Sequence, residues 1–268
     1  MKVLVLMGSP RKGNTFRACE EFREHLQKIC PTEFEYAWLK DAHIDPCKGC
    51  MVCFSRGEEK CPSHDDDVHC IVQKMLAADG VIFASPVYSI NVSGLMKNFI
   101  DRISYIGHRP RFFGKPAFFL VTAGIIGTDE TLEYLKIITW AWGFECAGTA
   151  GLISQFGPVP RERAETNKKQ LRDGAERFSL ALLRTGPESP GLKRVLHFYG
   201  MRPTFTELEK ISPADFRYWK DHGWLSPDVQ YFMDVPLNPL YLAIGKMVEM
   251  LARRQVRKDL IQPADGPG

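Results

Sequence analysis

The stretch that decides the fold stands at the start of the chain. Lys2-Val-Leu-Val-Leu-Met7 runs directly into Gly8-Ser-Pro-Arg-Lys-Gly-Asn-Thr15. A short apolar run bounded by glycine reads as a buried strand. Beyond the loop, Phe16, Cys19, Phe22, Leu26 and Ile29 recur at the spacing of one helix face. Strand, tight polar loop and helix form the opening unit of a parallel α/β sheet. Similar apolar runs predict strands at Phe34–Leu39, Val81–Ser85, Ala117–Thr122 and Cys146–Ile153. Helical spacing returns at Leu95, Phe99 and Ile103, and again at Leu132, Leu135 and Ile138. Five strands joined by crossovers predict a doubly wound, five-stranded parallel sheet in the order 2-1-3-4-5.

The chain has 268 residues, with 44% hydrophobic and 25% charged. These values suit a folded protein rather than a disordered one. A net charge of +3 gives no reason to expect a nucleic-acid partner. Residues 2–6 are too short for the apolar core of a signal peptide, and no run approaches the roughly 20 apolar residues of a membrane span. Eight cysteines without a secretion signal predict a reducing, cytoplasmic setting. Two regions are expected. Residues 1–185 form the α/β domain, with a cysteine-rich loop at 45–64. Residues 186–268 form a mostly helical, aromatic extension. Within this scheme a charged helix runs from about 161 to 183, after Gly157-Pro158-Val159-Pro160. A last helix follows Pro239, with Leu240, Ile244, Met247 and Leu251 on one face, and the tail Gln262–Gly268 reads as frayed. Trp219, Trp224 and Tyr231 are expected to serve packing or dimerisation rather than a lid.

Two motifs carry chemistry. In the first loop, small residues let backbone N–H groups approach an anion at a helix N-terminus. Ser9, Asn14 and Thr15 add short side-chain donors beside Gly13, and Arg11 adds a charge. The Gly8-x4-Gly13 spacing mimics a triphosphate loop, but Asn14 stands where that loop needs lysine. A monophosphate fits better, and a merely capped helix with a polar first turn is the plain alternative. The second motif is Cys47, Cys50, Cys53 and Cys61, spaced C-x2-C-x2-C-x7-C. Crowded thiolates suit an iron–sulfur cluster. Zinc, redox disulfides or four reduced thiols without metal are the other readings. Asp65, Asp66 and Asp67 precede a helical stretch, Val68 to Ala78, and are expected to cap it. His64 and His69 are expected to face solvent, and Cys19 and Cys70 to lie on buried helix faces.

Together these motifs resemble the NADPH-dependent FMN reductase/flavodoxin-like superfamily, and within it the iron–sulfur flavoprotein branch. The resemblance covers roughly residues 1–155. Gly8–Thr15 looks like the family's FMN phosphate loop. Cys47-Lys-Gly-Cys50-Met-Val-Cys53, with Cys61, looks like its compact cysteine loop. Ser85-Pro-Val-Tyr88 and the helix Ser93–Arg102 look like its flavin loop and following helix, and Thr122-Ala-Gly124 like a third flavin-contacting loop. The resemblance implies a flavodoxin-like fold and an FMN-dependent oxidoreductase. It implies that Ser9, Arg11, Gly13, Asn14 and Thr15 grip the phosphate. Pro86, Val87 and Tyr88 would run along the isoalloxazine, with Asn91 near the flavin or ribityl chain. Thr122, Ala123 and Gly124 would offer backbone N–H groups to the pyrimidine edge. Ile125 departs from the second glycine common in that loop. The four cysteines would hold a [4Fe–4S] cluster.

The flavin carries the chemistry, so no protein acid or base is assigned. NAD(P)H or ferredoxin is the expected donor, and a quinone or other small molecule the acceptor. The protein is expected to be a homodimer or homotetramer. A substrate-free flavodoxin-like electron carrier and a zinc-stabilised module on the same fold are the rival readings.

Overall fold

The computed structural model describes residues 1–154 and 158–261. The expected linker residue Gly157 and the tail Gln262–Gly268 lie outside the described residues. In chain order the elements are β1 (Lys2–Met7), α1 (Asn14–Ile29), β2 (Glu33–Trp38), α2 (Val52–Ser55), α3 (Val68–Ala77), β3 (Gly80–Tyr88), β4 (Asn91–Val92), α4 (Gly94–Arg102), β5 (Pro116–Ala123), α5 (Thr128–Ala141), β6 (Glu145–Ile153), α6 (Arg161–Leu183), α7 (Leu192–Glu207), α8 (Pro213–Asp221) and α9 (Pro239–Ile261). The chain divides into two compact units: Met1–Gly49 with Ser63–Gly186, and Cys50–Pro62 with Pro187–Gly268.

The first unit is a flavodoxin-like α/β sandwich. Its sheet runs β2-β1-β3-β5-β6, all parallel, in the expected order. A sixth, two-residue strand, β4, pairs antiparallel with the end of β3. It is too short to leave a period in the sequence. Val3 through Met7 are fully buried, because helices cover both faces of the sheet. Val3, Val5 and Met7 pack with Phe22 and Leu26 of α1 and Phe178 of α6. The alternate residues turn to the other face, where Phe83 meets Phe119, Trp142 and Phe144. Cys19 is fully buried, and desolvation pushes its thiol well up from the usual range. Cys70 is exposed, against expectation. The buried side of α3 is Val68, Ile71, Val72 and Met75, and position 70 falls on the opposite side of that turn.

In the second unit α7 packs on α9, and α8 on α2. Its core is aromatic: Phe198, Trp219, Trp224, Tyr231 and Phe232 are all buried and in ring contact. Arg202 crosses this core, pairing with Glu249 and donating to the carbonyls of Ser226 and Val229 at 3.1 and 2.7 Å. Of the apolar stripe read on α9, Ile244 is half-buried. Leu240, Met247 and Leu251 are exposed. α9 comes close to α7 at Gly245, where an added Cβ would run into Cδ2 of Tyr199. A glycine lets the helix approach a tyrosine ring that any larger residue would hold off.

Candidate functional site

Three loops leave the carboxyl ends of β1, β3 and β5, where open α/β sheets bind ligands. They are bonded to one another. The Gly8 N–H donates to Ala84 O at 2.8 Å. Ser93, the N-cap of α4, donates its hydroxyl to Gly8 O at 2.6 Å and accepts from the Met96 N–H at 3.2 Å. Its own N–H donates to the Ser85 hydroxyl at 3.0 Å. Thr15 in the first turn of α1 and Thr122 at the end of β5 share a hydroxyl–hydroxyl bond of 2.7 Å, and both are buried. Pro86 sits opposite Thr122 in the β3–β5 register. Ser9, Gly13, Asn14, Thr15, Pro86, Thr122, Ala123 and Gly124 thus lie at one edge of one sheet.

The electrostatics of that edge are specific to one helix. Three helices begin there. The N-terminus of α4 is capped by Ser93, and the first turn of α5 carries Asp129 and Glu130. α1 has neither: its N-cap is Gly13 without a side-chain cap, and its first turn has no acidic residue. The first-turn N–H groups of a helix have no intrahelical acceptor. Around this uncompensated positive end stand the exposed Arg11 and Lys12 and the half-buried Asn14. Asn14 is positioned by its amide bond to Ser154 O at 3.4 Å and by the Arg17 guanidinium. Ser9 is buried, and its hydroxyl donates back to Arg11 O at 2.8 Å, which turns the loop. A donor set of backbone N–H groups and a guanidinium, with no carboxylate in the first turn of α1, fits a phosphate monoester.

The other two loops are less polar. Val87 is half-buried, and Tyr88, Ile90, Ile125 and Ile126 are exposed. Ser89 and Ile90 hold φ of 50° and 60°, an unfavourable region for a β-branched residue. The turn is locked from behind by Gly127 at φ 94°, where an added Cβ would lie 2.9 Å from Val87 Cγ1 and 3.1 Å from Ile90 Cα. This glycine does the conformational work two residues after Ile125. Asn91 spends its carbonyl oxygen locally, accepting from the Val92 N–H at 2.8 Å.

The cysteines sit differently. Cys47 belongs to the first unit, and Cys50, Cys53 and Cys61 to the second. Cys47 and Cys50 are exposed, Cys53 and Cys61 half-buried. Among the described residues no three His, Cys, Asp or Glu side chains are gathered closely enough to hold a metal ion. The donor types suit a thiolate-ligated metal. Gly49, Met51 and Gly57 have positive φ, so the segment turns sharply between its cysteines.

Of the three aspartates expected to cap α3, one meets a free first-turn amide of the helix. Asp67 is the N-cap but makes no side-chain cap bond. It accepts instead from the His43 N–H at 2.7 Å. Asp66 accepts from the Val68 N–H at 3.2 Å and pairs with Arg102. Asp65 is exposed beside His64, and His69 is exposed as expected. The sequence reading missed Arg102. The available signal was an arginine between Phe99 and Ile103, on the buried side of α4.

Comparisons with known proteins bear on this edge. A family model described as NADPH-dependent FMN reductase matches residues 1–156. An iron–sulfur flavoprotein of Archaeoglobus fulgidus is 31% identical over 232 residues, covering 84% of this chain and 100% of the relative. A quinone reductase of Escherichia coli is 31% identical over 139 residues, covering 52% of this chain and 69% of the relative. Among solved structures, an FMN-dependent NADH-azoreductase of Bacillus anthracis in complex with FMN superposes with a TM-score of 0.53 at 16% identity, over 66% of this chain and 99% of that one. At that identity the last likeness speaks for the fold alone. No described helix is long and apolar enough to cross a membrane.

Proposed function

Since this chain belongs to the NADPH-dependent FMN reductase family, we propose that it is an FMN-dependent oxidoreductase that passes electrons from NAD(P)H or ferredoxin to a quinone or another small acceptor. The observation that carries the reading is the one uncapped, acid-free helix N-terminus, on α1, among the three at the bonded loop edge. When bound, FMN supplies the hydride and electron chemistry. The residues supply everything else. Arg11 and the N–H groups around Gly13, Asn14 and Thr15 hold the phosphate, and Ser9 shapes the loop that presents them. The Thr15–Thr122 bond fixes the phosphate loop to the third loop, where Thr122, Ala123 and Gly124 meet the pyrimidine edge. Pro86 and Val87 border the ring, and Tyr88 stacks beside it. Asn91 orients the turn.

The exposed apolar set Tyr88, Ile90, Ile125 and Ile126 supports an aromatic acceptor such as a quinone. The quinone reductase relative supports the same class. The four cysteines are proposed as ligands of a [4Fe–4S] cluster. The donor set and the relatives named iron–sulfur flavoproteins support this. The exposed apolar residues of α9 support self-association, as a dimer or tetramer. The cytoplasmic setting expected from eight cysteines belongs to the same proposal.

Anaerobic purification with flavin, iron and sulfide quantitation tests the reading. Stoichiometric FMN with NAD(P)H-driven quinone reduction is expected. Failure to bind FMN would overturn the proposal, and absence of iron after anaerobic reconstitution would overturn the cluster alone. FMN binding without NAD(P)H turnover would favour the carrier.

A further inference from the structure

Arg102 ends α4, the helix whose first residues are tied to the flavin-loop edge through Ser93. Its side chain is 4% exposed, and the Asp66 carboxylate it pairs with is 2% exposed. A buried ion pair of this kind costs heavily in desolvation unless its remaining donors and acceptors are met. They are met by backbone from both sides of the cysteine segment. Arg102 Nη1 donates to Asp45 O at 3.0 Å, and Nη2 to Ser63 O at 2.8 Å. Asp66 Oδ2 accepts from the Asp45 N–H at 3.1 Å. One turn earlier, Asn98 donates to Ile44 O at 2.8 Å. The Asp67 N–H donates to His43 O at 2.9 Å while its carboxylate accepts from the His43 N–H.

These bonds clasp residues 43–45 to residues 63–67, and the segment 46–62 spans the gap. The first of the four cysteines follows Asp45 by two positions, and the last precedes Ser63 by two. One guanidinium holds both carbonyls. We propose that Arg102 is a positioning residue: with Asp66 and Asn98 it buckles the two ends of the cysteine segment to α4, and so fixes the span within which the four thiols must gather. The same nine-residue helix is tied to the flavin loops at its start and to the cysteine segment at its end. The consequence for metal rests on the cluster reading above; the buckle does not.

The experiment uses the full chain, reconstituted anaerobically with iron and sulfide, as wild type, Arg102→Gln, Arg102→Lys and Asn98→Ala. Amide exchange is read by mass spectrometry at His43, Asp45 and Asp67, with iron content and FMN affinity alongside. Arg102→Gln is expected to speed exchange at those three amides at least tenfold, to cut retained iron at least threefold, and to leave FMN affinity within twofold. Arg102→Lys keeps one charge but cannot bridge two carbonyls, so it should fall between. Wild-type exchange at the three amides in Arg102→Gln would overturn the proposal. So would faster exchange spread evenly through α3, α4 and the sheet, which marks loss of general stability. If Arg102→Gln does not fold, Asn98→Ala decides, with about threefold faster exchange at Asp45 expected and no change overturning the buckle. If the wild type takes up no iron, the cluster reading fails, and the exchange result still decides the buckle.

Discussion

Replacing Ser93 by alanine should damage both the sheet unit and the site it carries. The hydroxyl caps α4 through the Met96 N–H and bonds Gly8 O, and the residue is 1% exposed. Loss of an N-cap costs about 1 kcal/mol. Leaving a buried carbonyl without its donor costs roughly 1–3 kcal/mol. The sum, about 2–4 kcal/mol, should appear as faster native-state exchange at core amides such as Val5 and Ile82, a probe that reads the first unit by itself. Melting of the whole chain is a poorer assay, because two units rarely unfold as one transition. Glycine caps a helix nearly as well as serine. Ser93→Gly should therefore keep most of the cap and lose the Gly8 bond, costing about 1 kcal/mol less than alanine. FMN affinity should fall about tenfold in Ser93→Ala, because Gly8 leads directly into the phosphate loop. Wild-type exchange in both variants, or unchanged FMN affinity in Ser93→Ala, would refute the claim that this hydroxyl organises the site.

Three further outcomes are expected. Thr15→Val removes the buried hydroxyl pair with Thr122, and should weaken FMN binding roughly tenfold by leaving Thr122 unpaired, at about 1–2 kcal/mol; fluorescence titration of free FMN reads it. Burial, with a smaller push from Arg194, lowers the pKa of His197 to about 4. The folded state then resists a proton that the unfolded chain accepts near 6.5. The resulting stability is fully present above pH 6.5 and lost as pH falls toward 4, and is worth up to roughly 3 kcal/mol. His197→Gln should flatten that dependence, followed by the fluorescence of the buried Trp219 and Trp224. Gly245→Ala should loosen α7 from α9, because its Cβ would run into the Tyr199 ring; a cost of about 1–3 kcal/mol is expected as faster native-state exchange at α7 amides such as Phe198.

What the sequence disclosed follows from how each signal is encoded. β1, β3 and β5 were legible because strands buried on both faces leave unbroken apolar runs, as at Val3–Met7 and Ala117–Val121. The glycine loop was legible because its chemistry is contiguous. The pair Thr15–Thr122 is separated by 107 positions and has no local signature. The same holds for Arg102, which joins the Asp66 carboxylate, 36 positions away, to two backbone carbonyls that no side-chain pattern reveals. The close approach of α9 to Tyr199 left no mark because periodicity counts apolar side chains, whereas that approach is made at Gly245, a residue with none. Cys70 was misread for the converse reason: an apolar-leaning residue beside a buried turn need not point into it.

The division of the chain has a consequence in time. The second unit is assembled from Cys50–Pro62 and Pro187–Gly268. Ser212 donates to Phe54 O at 3.1 Å, and α8 lies on α2. On the ribosome the earlier piece emerges 186 − 62 = 124 residues before the later one begins. At about 5–20 residues per second that is a wait of roughly 6–25 s. The sheet unit can close in that interval, while a segment bearing three cysteines waits without its packing partner. A truncation at residue 186 would make that wait permanent, so the C-terminal region is the missing half of a structure begun at residue 50.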